Sequence, residues 1–166
     1  MKEAIDKPIQ SLIDQLPQVG KLTWIGLRPD RKQPLISVEK VTVSESDGLV
    51  GDHFKSKFSN KRQVTLIQSE HLQAVASIMN KEEIDQALTR RNLVVQGINL
   101  FALRDRQFCI GEVVLEGTGY CHPCSRMEEN LGAGGYNAMR GHGGITAKVI
   151  KGGDIHIGDE IKLITT

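Results

Sequence analysis

Apolar and polar residues alternate with two different periods along this chain, and each change of period marks an element. From Ile5 to Leu16 the apolar positions are Ile5, Ile9, Leu12, Ile13 and Leu16, a helical spacing. Pro8 suits a first turn, and Pro17 ends the helix. Lys21–Leu27 (KLTWIGL) then reads as a strand, followed by a turn at Arg28-Pro29-Asp30. Ile36–Val43 (ISVEKVTV) alternates with period two, a half-buried strand. Residues 48–53 are turn-like, Phe54–Lys61 is a polar loop, and Arg62–Ile67 (RQVTLI) is a further strand. Ser69 is placed to cap a helix over Glu70–Met79, with Leu72, Val75, Ala76 and Met79 on one face. A shorter helix, Glu82–Leu88, leads into a basic turn and strand, Arg90-Arg91-Asn92-Leu93-Val94-Val95. Strands follow at Gln107–Ile110 and Glu112–Gly117, a helix at Ser125–Leu131, and a glycine-dense loop, GAGGYNAMRGHGG. Strands at Ile145–Ile150 and Glu160–Ile164 close the chain, separated by tight turns at Gly152-Gly153-Asp154 and Gly158-Asp159.

Many short strands with glycine turns and few short helices predict a mainly β fold, a barrel or sandwich with peripheral helices. A regular βαβ alternation is missing. At 166 residues the chain fits one domain with a short appendage, and 39% hydrophobic residues suffice for one core. Lys and Arg total 21 against 20 Asp and Glu, which offers no net positive charge for a nucleic-acid partner. Aromatics at 4% are too few for base-stacking platforms. No run reaches the roughly 20 apolar residues of a membrane helix, and the N-terminus lacks a signal peptide's apolar centre. The expected compartment is the cytoplasm, where thiols stay reduced. Three cysteines, an odd number, fit no disulfide framework.

Candidate chemistry centres on Cys121-His122-Pro123-Cys124. A Cys-x-x-Cys before a helix suits a redox dithiol, but a thioredoxin-like fold would place it early, with βαβ structure after it. Zinc could draw on both cysteines and two of His122, His142 and His156, yet the histidines lack finger-type spacing. The third reading is one working thiol. Cys124 would stand at the mouth of the 125–131 helix, with Arg126 and Arg140 adding positive charge, able to carry sulfur or ligate a soft metal. Arg90-Arg91-Asn92 offers two guanidinium forks and an amide for phosphate or a planar ring edge; equally, the pair could be a solvated helix end. The glycine loop has no Walker ending. Asp52 and His53 could form an acid/base or ligand pair, though a turn acid and a surface histidine is the commoner outcome, and His71 reads as structural.

In order along the chain, GKLTWIGLRPDR, GLVGDHF, RQVTLIQSEHL, RRNLVVQGINL, IGEVVLEGTGYCHPC and GHGGITAKVIKGGDIHIGDEIKL resemble the MOSC domain, named for the C-terminal domain of molybdenum cofactor sulfurases. The resemblance spans about Gly20 to Leu163, so residues 1–19 form an N-terminal extension and 20–166 the domain. It implies a MOSC-type β-barrel, similar to the β-barrel domain of pyruvate kinase, and makes Cys124, not Cys121, the functional cysteine. In fused sulfurases that cysteine accepts sulfur from a desulfurase domain; in amidoxime-reducing relatives it ligates Mo while basic residues hold the pterin phosphate. Arg90, Arg91 and Asn92 match the basic motif as cofactor-binding residues, Arg140 more loosely, and Asp52 and His53 would be pocket wall. The implied cofactor is the molybdenum cofactor (Mo-pterin), with pyridoxal phosphate binding associated only at family level. The 166 residues hold no aminotransferase-like domain and none of the reductase relatives' added domains. Sulfur would therefore come from a cysteine desulfurase or other donor. A reductase of N-hydroxylated compounds would need an electron-donating partner. A non-catalytic binding module is the remaining expectation.

Overall fold

The computed structural model describes residues 2–53 and 59–165. Helix α1 (Lys2–Ile13) starts earlier than the pattern predicts, so Pro8 lies inside it and not in its first turn. On its apolar face Ile9, Leu12 and Ile13 are all more than half exposed, while the Ile5 side chain lies outside the described residues. The end of this extension is tied down, through Leu16 against the core and an Asp14–Arg106 ion pair.

Eleven strands follow in chain order. They are β1 (Gly20–Leu27), β2 (Ile36–Val38), β3 (Lys40–Ser44), β4 (Gly48–Leu49), β5 (Val64–Gln68), β6 (Leu93–Gln96), β7 (Gln107–Ile110), β8 (Val113–Tyr120), β9 (Ile145–Lys151), β10 (Gly153–His156) and β11 (Glu160–Leu163). Hydrogen bonding runs β11-β7-β8-β9-β5-β6-β1, and β1 also pairs with β11, closing a barrel of seven strands. Closure leaves no unpaired edge in this ring. One neighbouring pair, β5–β6, is parallel, and the crossover it requires carries helix α2 (Ser69–Ile78).

The barrel interior is apolar, with Leu22, Ile25, Leu66, Leu93, Val95, Phe108, Ile110 and Leu115 all essentially inaccessible. Strands β5 and β6 are buried on both faces. Leu66 and Leu93 point inward, whereas Ile67 and Val94 face a second core with Leu72 and Val75 of α2. Helices α3 (Ser125–Leu131) and α4 (Gly135–Met139) complete that outer layer with Met127, Leu131, Ala138 and Met139. Single-strand alternation cannot reveal this arrangement, because a strand covered on both sides reads as a continuous apolar run.

The differences from the sequence reading have local causes. Ile36–Val43 is two strands: β2 pairs with β1 and β3 with β10, and the chain changes sheet at Glu39. Ser69 is the first residue of α2, not its cap. Gln68 holds the cap position without a side-chain cap bond, and its Oε1 instead accepts from the Leu100 N–H at 3.0 Å. The helix expected over 82–88 is a 3-10 turn, Gln86–Thr89, begun by Asp85 accepting from the Ala87 N–H and ended by Arg90 in a left-handed conformation. The first turn expected between the last two strands is β10, paired with β3. Of the expected 54–61 loop, residues 54–58 lie outside those described.

The glycine loop contains a helix, α4, whose start depends on one side chain. Glu128 on α3 accepts from the N–H groups of Gly134 and Tyr136, both at 3.0 Å. Those two bonds hold its carboxyl below the usual glutamate range. The lowered value means that the cap is complete above the ordinary glutamate range and is lost as pH falls through the lowered one. An NMR titration should show the Gly134 and Tyr136 amide shifts following Glu128 only well into acid, and Glu128→Gln should abolish that titration. Gly144 (φ +83) is the tightest joint between the loop and β5, since a Cβ there would strike the Leu66 carbonyl oxygen. Gly144→Ala should lower the unfolding free energy by about 2–4 kcal/mol in urea denaturation.

Candidate functional site

Cys124 is the cap residue of α3, with extended backbone, and its side chain is exposed. It opens on a cleft of about 410 Å³ that is also lined by Arg28, Arg31, Lys32, Arg62, Arg90, Arg91 and Arg126. Against those seven cations the only acid in the lining, among the described residues, is Asp30. Four separate segments bring them together: the loop after β1, the residues just before β5, the turn before β6, and the start of α3. A balanced chain therefore carries a strongly unbalanced surface here, which the net charge of +1 conceals.

Cys121 is buried in the same wall, with the Arg62 guanidinium 3.8 Å from its sulfur. Cys109, Cys121 and Cys124 are all free thiols. Among the described residues no three His, Cys, Asp or Glu side chains group as metal ligands, so the zinc reading gains no ligand set. His71 is packed edge-on against Phe101 and His142, and burial lowers its pKa, with His142 adding to the effect.

Arg90-Arg91-Asn92 divides into three different environments. Arg90 (φ 62) turns its side chain to the cleft and donates to the Gln33 carbonyl at 2.7 Å. Burial lowers its pKa, and the nearby Arg126 and Arg28 lower it further. Arg91 is buried and spends its guanidinium on backbone: Nε donates to Gly143 O (2.8 Å), Nη1 to Thr89 O (2.9 Å), and Nη2 to Cys121 O (3.1 Å) and His122 O (3.5 Å). It therefore fixes the backbone that carries the cysteine segment, while its charge still faces the cleft. Burial lowers its pKa too.

Asn92 is fully inaccessible and stands behind the cleft wall. Its Nδ2 donates to Gly26 O and Asp52 Oδ1, and its Oδ1 accepts from the N–H and hydroxyl of Thr65. Asp52 is a buried carboxylate, not a turn acid on the surface. It takes a bidentate ion pair from Arg28 at 3.1–3.3 Å besides the Arg28 N–H. His53 does line the cleft, near Asp30. Arg140 follows α4, is exposed, and lies outside the cleft, its Nη1 near Asn137 Oδ1. Of the residues singled out from sequence, the fold thus brings Cys124, Arg90, Arg91 and Arg126 together, with Asn92 behind them and Arg140 apart. Arg28, Arg31, Lys32 and Arg62 were not foreseen; the dense basic spacing of LRPDRK was the one available signal.

The protein is thus a closed barrel with an exposed thiol beside a cleft lined mainly by cations. The chain belongs to the MOSC domain family, whose profile matches residues 53–162. The fold is similar to that of the YuaD protein from Bacillus subtilis (TM-score 0.76, 20% identity, covering 89% of this chain and 97% of that one). It is also similar to YiiM from Geobacillus stearothermophilus (TM-score 0.72, 13% identity, 88% and 75%) and YiiM from Escherichia coli (TM-score 0.66, 18% identity, 88% and 70%). No curated protein sequence matches the chain. No helix among the described residues is long and apolar enough to cross a membrane.

Because Arg91 ties three loops together, losing its fork should cost stability. Arg91→Lys, which keeps the charge but not the geometry, should lower the unfolding free energy by about 2–4 kcal/mol. Arg126→Ala should stay within about 0.5 kcal/mol. Urea denaturation reads both, and a neutral Arg91→Lys would remove the cross-linking role.

Proposed function

We propose that this protein handles the molybdenum cofactor or its sulfur, with Cys124 carrying persulfide sulfur or ligating Mo. The observation that carries this reading is the exposed Cys124 thiol beside cations that outnumber the acids around them. The cleft fits a phosphate-bearing pterin: Arg90 and Arg126 repel each other and find no ion-pair partner among the described residues. An arriving phosphate would relieve that repulsion through charge-assisted hydrogen bonds. Arg90, Arg126, Arg31 and Lys32 would hold it. Arg91 would contribute field while keeping its bonds to backbone, and Asn92 would brace the wall. Mo, when bound, would supply a redox-active Lewis acid.

The thiolate of Cys124 is the form that would attack sulfur or bind metal. In sulfur transfer, Cys124 thiolate attacks the outer sulfur of a donor persulfide, supplied by a cysteine desulfurase. The donor leaves as its own thiolate, and Cys124 keeps the sulfane sulfur. The cleft then presents that sulfur beside the phosphate-holding cations.

A second reading, reduction of N-hydroxylated compounds with a partner reductase, draws on a different observation. An apolar recess of about 230 Å³, lined by Phe101, Tyr120, Pro123 and glycines, adjoins the Cys121–Pro123 segment. It offers room for the body of an organic substrate.

Incubation with a desulfurase and cysteine, followed by intact and peptide mass spectrometry, should add one sulfur at Cys124 in the wild type and none in Cys124→Ser. No sulfur gain together with no binding of the pterin cofactor would sink the proposal. Protein loaded with cofactor that retains Mo, reduces hydroxylamines with a reductase and never carries sulfur would favour the second reading.

A further inference from the structure

One half-buried titratable side chain takes no part in the chemistry proposed for the cleft. His71 lies on the first turn of α2 and touches two other rings. Phe101 meets it edge-on at 5.6 Å between ring centroids, and His142 at 5.2 Å. Phe101 is in turn tilted against Tyr120, and the Arg104 guanidinium lies 4.6 Å over the Tyr120 ring. His71 Nδ1 is shut off from solvent and has no hydrogen-bond partner among the described residues. An orphaned buried N–H is rarer than an under-used acceptor, so the neutral ring keeps its proton on Nε2.

Its partner His142 belongs to the short segment that backs the cysteine wall. His142 Nδ1 donates to Ala138 O at 3.0 Å and its backbone N–H to Met139 O at 2.8 Å. The next two residues hold the site: Gly143 O accepts from Arg91 Nε, and Gly144 O from the Cys121 N–H at 2.9 Å. The His71–His142 contact thus fastens α2 to the segment that anchors both Arg91 and Cys121. A proton added to His71 opposes this contact in three ways. It puts an N–H at Nδ1 with nothing to accept it, a charge where water is scarce, and a cation at the positive end of the α2 dipole. Burial is the larger reason that the His71 pKa is lowered, and His142 the next. Glu70 acts the other way, with its carboxylate engaged by the Gly97 N–H and Gln68 Nε2. Strands β5 and β6 and helix α4, which pack on α2, carry no acid, lysine, arginine or histidine. On the Phe101 side Tyr120 intervenes before Arg104.

We propose that the His71–His142 contact is an acid-sensitive latch: with His71 neutral it holds the 141–144 segment in place, and protonation of His71 frees that segment and loosens the wall that covers Cys121. The latch does not depend on which chemistry Cys124 performs. Its sign follows from the environment of His71. The folded site takes up the proton less readily than an open one, so the latch is closed above the ordinary histidine range and weakens as pH falls through that range. Glu128, which caps α4 beside the same segment, is held below the ordinary glutamate range and titrates outside this window. Cys121, buried at neutral pH, is uncovered in acid, together with the Arg91 fork that Gly143 holds.

Amide hydrogen exchange read by NMR between about pH 7.5 and 5.5, corrected for the intrinsic exchange rate, tests it. Protection of the Cys121 N–H should fall at least about threefold across that interval in the wild type. His71→Phe and His71→Leu, which fill the same place without a titrating group, should abolish the fall. His142→Gln should reduce it without abolishing it, because burial is the larger cause. In the wild type the Cys121 and Gly144 amide shifts should follow the midpoint of the His71 ring and of no other histidine, a readout that stands even where the variants fold poorly. Unchanged Cys121 protection, a fall that persists in both His71 variants, or amide shifts that ignore the His71 midpoint overturns the latch. None of these outcomes bears on sulfur loading of Cys124, so the cofactor reading stands or falls separately.

Discussion

One buried guanidinium holds the site together. Arg91 meets no carboxylate among the described residues; it is satisfied by the carbonyls of Thr89, Cys121, His122 and Gly143. A buried cation is costly unless its donors are engaged, and here the engaged partners are the loops that must converge on the barrel rim. The same bonds fix the backbone of Cys121 and His122, and so direct the chain through Pro123 to an outward-facing Cys124. Gly143 is glycine for a matching reason, since a Cβ there would collide with the Cys121 carbonyl oxygen that Arg91 needs. Because the partners are neutral dipoles, the charge is solvated but not cancelled, and it adds to the field at the thiol.

A second polar unit supports the opposite wall. Arg28, Asp52, Asn92 and Thr65 form a continuous hydrogen-bonded chain linking β1, the 48–53 turn, β5 and the start of β6. Every polar atom of the Asn92 side chain is used, as a buried amide requires. The unit anchors one cation of the cleft, Arg28, and leaves Arg31, Lys32, Arg90 and Arg126 to face outward. The division between basic residues that build the cleft and those that face a ligand follows from burial. Donors walled in by protein bond to protein, while those at the open face keep free hydrogens.

Much of the architecture was legible because local signals and tertiary context agree. The helix Ser125–Leu131 and strands such as Gln107–Ile110 fall where their patterns place them. Helix α4 was not legible: its glycine-rich composition argues for a loop, and its start is capped by Glu128, a carboxylate from a different helix. The sheet change at Glu39 was hidden too, because alternation continues unbroken through it and only the pairing partners differ. In the site, Arg90, Arg91 and Asn92 are adjacent in sequence and read as a single gripping unit. The left-handed turn at Arg90 sends the first toward the cleft and its neighbours inward.

By itself the sequence determined a mainly β domain, since strand periodicity is a local property, and the order of its motifs carried the resemblance to MOSC domains that singled out Cys124. Barrel closure decided everything that depends on distant segments meeting. It put the loop after β1, the residues just before β5, the turn before β6 and the start of α3 around one cleft, and it separated Arg140 from them. A net charge of +1 is a sum over the chain; the field at Cys124 depends on distance, and distances between residues remote in sequence exist only once the chain is folded.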